Sequence, residues 1–323
     1  MSDRPLTAYL AARGFTGELL EEIARAPGSP RILRADDRLV LTEGEPVTAV
    51  WAQNVWLGCR RLTFSSVSDA ARMLRETQRN WAKYSVRFHR RAELIQARLP
   101  VWSPKPMRFL DPVPASPMGS WTLLDQHTLL AASRCSSPFP HGELDFDEDH
   151  EAPPSRAYLK LWELFTVQGF RPRAGERCLD LGGAPGGWSW VLAALGCRVT
   201  SVDKAPLDPR VAAMPGVTHL RESAFGLDPL DCGSVDWLFS DVVCYPRRLL
   251  GLVTAWIESG RCRNVVCSVK FQGRTDFEVI DGFAAIPGSR LVHLWHNRHE
   301  LTWFRLEATD RGPTRGPIAD RPP

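Results

Sequence analysis

Apolar and polar positions alternate with two different rhythms along this chain, and the change falls near residue 155. Beyond it, short runs rich in Val, Leu and Phe are separated by stretches of helical period. The spacing predicts helices over 155–169, 187–195, 247–259 and 275–286. It predicts strands over 177–181, 198–203, 217–221, 235–242, 265–271, 291–295 and 301–306. Strands joined by helix-length connections define an α/β fold with a mainly parallel, doubly wound sheet. Residues 296–300 are too short a connection for a crossover, so the last two strands are expected to pair antiparallel.

The first half is less regular. Leu10, Phe15, Leu19, Leu20 and Ile23 recur at helical spacing and predict a helix over 8–26, stopped by Pro27 and Gly28. Strands are expected over 38–42, 47–51 and 84–88, and a helix over 68–82, giving a smaller N-terminal α+β domain over 1–135. Two proline-punctuated stretches follow, 103–120 and 136–155, and proline there favours extended loops. The second is also acidic, and residues 136–154 are taken as a linker. The main α/β domain then spans 155–309, and the Pro-, Gly- and Arg-rich residues 310–323 form a tail expected to be disordered.

Composition adds limits. A chain of 323 residues with 44% hydrophobic and 24% charged positions can bury two ordinary cores. The eight cysteines include no C-x-x-C pair, so no metal site is expected. The opening residues lack an apolar leader and no membrane-length apolar run follows, which suits a cytoplasmic protein with reduced thiols. The net charge of +3 says little, but its distribution says more: ten Lys/Arg lie between Arg60 and Arg98 against Asp69, Glu76 and Glu93. Such segregation suits a nucleic-acid backbone, the alternative being a solvated helix face.

The segment Asp180-Leu181-Gly182-Gly183-Ala184-Pro185-Gly186-Gly187-Trp188 follows the first strand of the α/β half and opens a helix. Glycines there let the backbone turn sharply and approach a bound nucleoside. Asp203 ends the next strand, where a carboxylate can bind ribose hydroxyls. The interrupting proline departs from the dinucleotide-binding pattern. The motif resembles instead the S-adenosylmethionine loop of Rossmann-like methyltransferases, and within them the FtsJ-like ribose 2′-O branch. From residue 154 to Glu300, with a reach back toward Ser136 and Gly14, the chain resembles the RlmM type of 23S ribosomal RNA 2′-O-ribose methyltransferase.

That resemblance implies S-adenosylmethionine as cofactor, held by Asp180, Gly182 to Trp188, Asp203, Asp241 and the region of Ser223, where relatives keep an acidic residue for the adenine. It implies a Lys-Asp-Lys-Glu set at Lys160, Asp241, Lys270 and Glu300. Asp241, Lys270 and Glu300 fall at the carboxyl edge of the predicted sheet, where open α/β sheets bind ligands. An ordinary lysine stays protonated at neutral pH, so one that serves as base needs burial and neighbouring cations. Holding hydroxyl and methyl in line can contribute about 7–11 kcal/mol through proximity alone. The family also carries a THUMP-containing RNA-binding region. Only about 135 residues precede the linker here, so a reduced THUMP-like version is expected.

RNA, ribosomal RNA above all, is the implied partner. Arg60, Arg61, Arg87, Arg90 and Arg91 in the basic region, and Arg247, Arg248, Arg274 and Arg298 near the catalytic edge, are candidates for holding it. Phe64, Trp81, Tyr84 and Phe88 lie among the former, either stacking bases or forming the small domain's core. Three rivals compete. Asp241-Val242-Val243-Cys244 with Cys267 has the spacing of an RNA 5-methylcytosine enzyme with a cysteine nucleophile, although Val243 stands where those enzymes carry proline. Amino methylation of a base usually uses an Asn/Asp-Pro-Pro-aromatic loop that is missing here. A non-catalytic RNA-binding or ribosome-assembly protein would keep the fold as scaffold, without needing the four charged residues.

Overall fold

The computed structural model describes residues 4–101 and 105–307. It divides into two compact units with the boundary between Asp145 and Phe146. That boundary falls inside the stretch read as linker. Residues 136–145 pack with the first unit, burying Phe139 and Leu144, so they are folded chain rather than a tether. The expected tail, 310–323, lies outside the described residues.

In the first unit, β1 (Leu6–Ala11) leads to α1 (Thr16–Arg25), β2 (Arg31–Asp36), β3 (Leu39–Glu43), β4 (Ala52–Leu57) and β5 (Arg60–Thr63). Next come α2 (Val67–Thr77), β6 (Trp81–Lys83), α3 (His89–Gln96), β7 (Gly119–Leu123), β8 (Thr128–Ala132) and the two-residue β9 (Arg134–Cys135). They form a five-stranded sheet in the order β2-β3-β1-β4-β9 and a four-stranded one in the order β5-β8-β7-β6. The expected helix over 8–26 is thus a strand followed by a helix. β1 is central, hydrogen-bonded to β3 and β4, and buries residues 7 to 11 on both faces, so its apolar run has no two-residue alternation to betray it. The strand expected over 47–51 lies at 52–57, and the helix expected over 68–82 stops at Thr77. Ser66 starts that helix by accepting a hydrogen bond from the Asp69 N–H at 3.1 Å. The strand expected over 84–88 is replaced by the three-residue β6 before it and α3 after it.

The second unit holds α4 (Tyr158–Gln168), β10 (Arg177–Leu181), α5 (Gly187–Ala194), β11 (Arg198–Val202), α6 (Pro209–Ala212) and β12 (Val217–Leu220). It continues through β13 (Val235–Ser240), α7 (Pro246–Glu258), β14 (Cys262–Lys270), α8 (Phe277–Ala284), β15 (Ser289–Val292) and β16 (Glu300–Arg305). The sheet order is β12-β11-β10-β13-β14-β16-β15; the first five strands are parallel, and β16 runs antiparallel to both neighbours. This is the Rossmann-like sheet with an antiparallel last strand. β10, β13 and β14 are almost wholly buried, as parallel strands covered on both faces must be. Between β10 and β13 the strand order reverses, which opens a crevice at their carboxyl ends. No helix among the described residues is long and apolar enough to cross a membrane.

Candidate active site

A cavity of about 340 Å³ occupies that crevice. Its floor is the loop from β10 into α5: Asp180, Gly182, Gly183, Ala184, Pro185, Gly187 and Trp188 all line it, with Asp203, Asp241, Val242, Val243 and Lys270. The loop needs its glycines for different reasons. Gly182 has φ +78° and lies so close to the chain after β13 that a Cβ would sit 2.8 Å from the Val242 Cβ. At Gly183 a Cβ would lie 2.0 Å from the Ser201 Oγ.

Asp180 is completely buried. Ser189 Oγ donates to its Oδ2 at 2.6 Å, while Oδ1 has no partner although the residue lines the cavity. Burial pushes this carboxyl up to about 7; the Ser189 hydrogen bond opposes the rise and the carboxylates of Asp241 and Asp203 add to it. Asp203 accepts the Ala184 N–H at 3.1 Å and the Ala205 N–H at 2.9 Å, so it braces the loop while facing the cavity. An orphaned buried carboxylate oxygen, a glycine floor and a second acid at the rim fit a ligand with a cationic end and sugar hydroxyls. Ser223 is not part of the cavity wall. Its Oγ accepts the Phe225 N–H at 3.3 Å, so the sequence-based placement of an adenine contact there finds no support in the cavity lining.

Lys160, Asp241, Lys270 and Glu300 come from four separate elements and meet. Lys160 Nζ donates to Asp241 Oδ1 at 2.6 Å and lies 3.1 Å from Glu300 Oε1 and 3.5 Å from Ser268 Oγ. Lys270 Nζ lies 3.0 Å from the same Asp241 oxygen and also donates to the Asp241 carbonyl. The sheet register explains the meeting: Lys270 and Glu300 are direct partners across β14 and β16. Burial pushes the Asp241 carboxyl up, but the charges and hydrogen bonds of the two lysines outweigh this and hold it below the ordinary carboxylate value. Asp241 and Lys270 line the cavity; Lys160 and Glu300 stand behind them, nearly buried.

The basic candidates divide. Arg247 is tied to Asp276 at 3.3 Å and Glu278 at 2.7 Å, and Arg248 lies over the Phe225 ring at 3.8 Å. Arg274 and Arg298 are exposed, with no ion pair among the described residues. In the first unit Arg87 is bound to Asp36 at 2.8 Å and Arg91 lies 5.4 Å over the Phe64 ring, whereas Arg60, Arg61 and Arg90 are exposed and unpaired among the described residues. Phe64 and Trp81 are core residues, Tyr84 bonds Asp37 at 2.5 Å, and Phe88 is exposed.

Sequence reasoning missed two polar residues here. Glu163, one turn beyond Lys160, is a second buried charge on α4, and an acid that close to a lysine in sequence gave no signal of its own. Asn297 had no signal beyond its place in a short loop; its amide donates to the Glu300 carbonyl at 3.2 Å and to Thr302 Oγ1 at 3.1 Å.

Fold and crevice define a Rossmann-like unit with its cavity at the point where the strand order reverses, and comparison with known proteins narrows this. Residues 153–278 match the model of the FtsJ-like methyltransferase family. The ribosomal RNA large subunit methyltransferase M of Aromatoleum aromaticum is 38% identical over 166 residues, 46% of this chain and 45% of that protein. Its namesake from Xylella fastidiosa is 35% identical over 198 residues, 56% of each chain. The chain therefore spans about half the length of the curated relatives it matches. Among solved structures, TrmN from Thermus thermophilus covers 93% of this chain and 98% of its own at 14% identity, with a TM-score of 0.35.

Proposed function

We propose that this chain is an S-adenosylmethionine-dependent methyltransferase that modifies a ribose 2′-hydroxyl of RNA, with large-subunit ribosomal RNA as the target. The observation that carries the reading is the convergence of Lys160, Asp241, Lys270 and Glu300 at the glycine-floored cavity. The relatives' printed names support ribosomal RNA as substrate. On this reading the chain works in the cytoplasm.

The residues divide the chemistry by their partners. Lys160 has three acceptors, Asp241, Glu300 and Ser268, which matches the three donors of an ammonium. Lys270 has two acceptors, both on Asp241, and of the two lysines it is the one that lines the cavity. Lys270, once its ammonium has released a proton to solvent, is the acceptor of the 2′-hydroxyl proton, and Asp241 aims it. Lys160 holds Asp241 and Glu300 in place and keeps a positive charge beside the base. Bound cofactor supplies the methyl group as an electrophile. Asp180 and Asp203 would hold its cationic and ribose ends, with Gly182, Gly183, Ala184, Pro185, Gly186, Gly187 and Trp188 shaping the floor. The N-terminal unit, read as a reduced THUMP-like module, would bind the RNA through Arg60, Arg61 and Arg90.

The cysteine alternative is disfavoured: Cys267 is fully buried, and burial pushes its thiol well above the ordinary value, so it supplies no thiolate. The test is methyl transfer by the purified chain to ribosomal RNA, digested and analysed by mass spectrometry. A 2′-O-methylated nucleoside supports the reading; a methylated base, or cofactor binding without transfer, overturns it.

A further inference from the structure

Glu163 is a carboxylate with only 4% of its side chain exposed. Its partners all belong to one segment, the connection between β15 and β16. The Trp295 N–H donates to Oε1 at 2.7 Å, and the His296 N–H donates to Oε2 at 3.0 Å. His296 Nδ1 lies 2.6 Å from the same Oε2, and with a carboxylate as acceptor that nitrogen must carry the proton. Three converging donors offset much of the cost of burying the charge.

The segment so held runs directly into Asn297, whose amide bonds the Glu300 carbonyl and the Thr302 hydroxyl. Glu300 follows, and its carboxylate meets Lys160 at 3.1 Å. One helix, α4, therefore contributes both Lys160 and, three residues on, the acid that ties down the loop delivering the partner of Lys160. Residues three apart share a helix face, so both side chains point toward β16 from the same side. We propose that Glu163 is a positioning residue for the reaction: it fixes Glu300 against Lys160 and so keeps Lys160, Asp241 and Lys270 in register. The proposal rests on the ribose-methylating reading of the site.

Glu163→Gln keeps the shape but offers one acceptor oxygen, and sets an NH₂ group against an N–H donor. With misplacement of order an ångström, kcat for methyl transfer should fall by on the order of tenfold to a hundredfold. KM for RNA and calorimetric cofactor affinity should stay as in the wild type. A double-mutant cycle with Glu300→Gln separates positioning from general damage. If Glu163 acts through Glu300, adding E163Q to E300Q lowers kcat by no more than about twofold further. Full multiplication of the two losses, or a wild-type kcat for E163Q, overturns the proposal. Should E163Q fail to fold, His296→Ala removes the side-chain donor together with a ring that is 12% exposed and lies 5.8 Å from the Phe146 ring. Its kcat should fall less, with the same non-additivity, and an unchanged rate overturns the proposal as well. A wild-type chain that methylates no ribose sinks the underlying reading and the proposal with it; an active wild type with an indifferent E163Q sinks the proposal alone.

Discussion

Two lysines share one aspartate oxygen, and their places separate their work: Lys270 lines the cavity and Lys160 stands behind it. Lys270→Ala removes the proposed proton acceptor and should lower kcat by about 10²–10⁴-fold while cofactor binding persists, read by single-turnover transfer and calorimetry. Cys267→Ala should leave the rate near wild type, because a buried, protonated thiol takes no part; lost activity there with a working K270A would favour base methylation. Asp180 gives a pH dependence with a definite sign. Its folded value, about 7, lies above that of the unfolded chain, so its stabilising contribution is complete below the unfolded value and is lost as pH rises through about 7. A cationic ligand end beside Oδ1 favours the ionised form, so cofactor affinity should weaken by up to about tenfold per unit as pH falls below about 7. Asp180→Asn should flatten that slope, and a slope surviving in the variant assigns it to another group.

At the scale of elements, the strand–loop–helix unit of β10 and α5 forms the floor of the cavity proposed to hold the cofactor, and its tolerance is steric. Gly183→Ala places a methyl 2.0 Å from Ser201 Oγ and should cost about 1–3 kcal/mol of stability together with most of the cofactor affinity. Ser201→Ala in the same chain removes that clash and should restore part of both, by thermal melting and calorimetry; no rescue would place the damage elsewhere in the loop. This half of the molecule was legible because each parallel strand is a compact apolar run bounded by helical spacing, and because Lys270 and Glu300 fall at strand ends where register fixes their meeting. The first half was not. Residues 6–11 are buried on both faces and imitate part of a helix, while α3 has only eight residues and β7 and β8 lie beyond a proline-rich stretch that reads as loop. Glu163 escaped because nothing in the sequence shows which distant backbone donors an acid will meet.

For the whole molecule, the proposed RNA substrate calls for a basic surface, and the charge distribution argues for the first unit. Of its five candidate arginines, two are spent internally, Arg87 on Asp36 and Arg91 on Phe64. Arg60 and Arg61 are neighbours on β5, an edge strand, and both are exposed with no ion pair among the described residues. Side chains that hold phosphates release counterions, so each lost contact lowers the slope of log K against log salt by about 0.7–0.9. Reversing both charges, R60E with R61E, should therefore weaken RNA binding and flatten the slope by about 1.4–1.8, while cofactor affinity and thermal melting stay put. Arg87→Glu should behave oppositely, lowering stability through its broken pair with Asp36 and moving the salt slope little. A double reversal that leaves the slope unchanged removes this strand from the proposed RNA path and shifts attention to Arg274 and Arg298 of the second unit, which have no ion pair among the described residues.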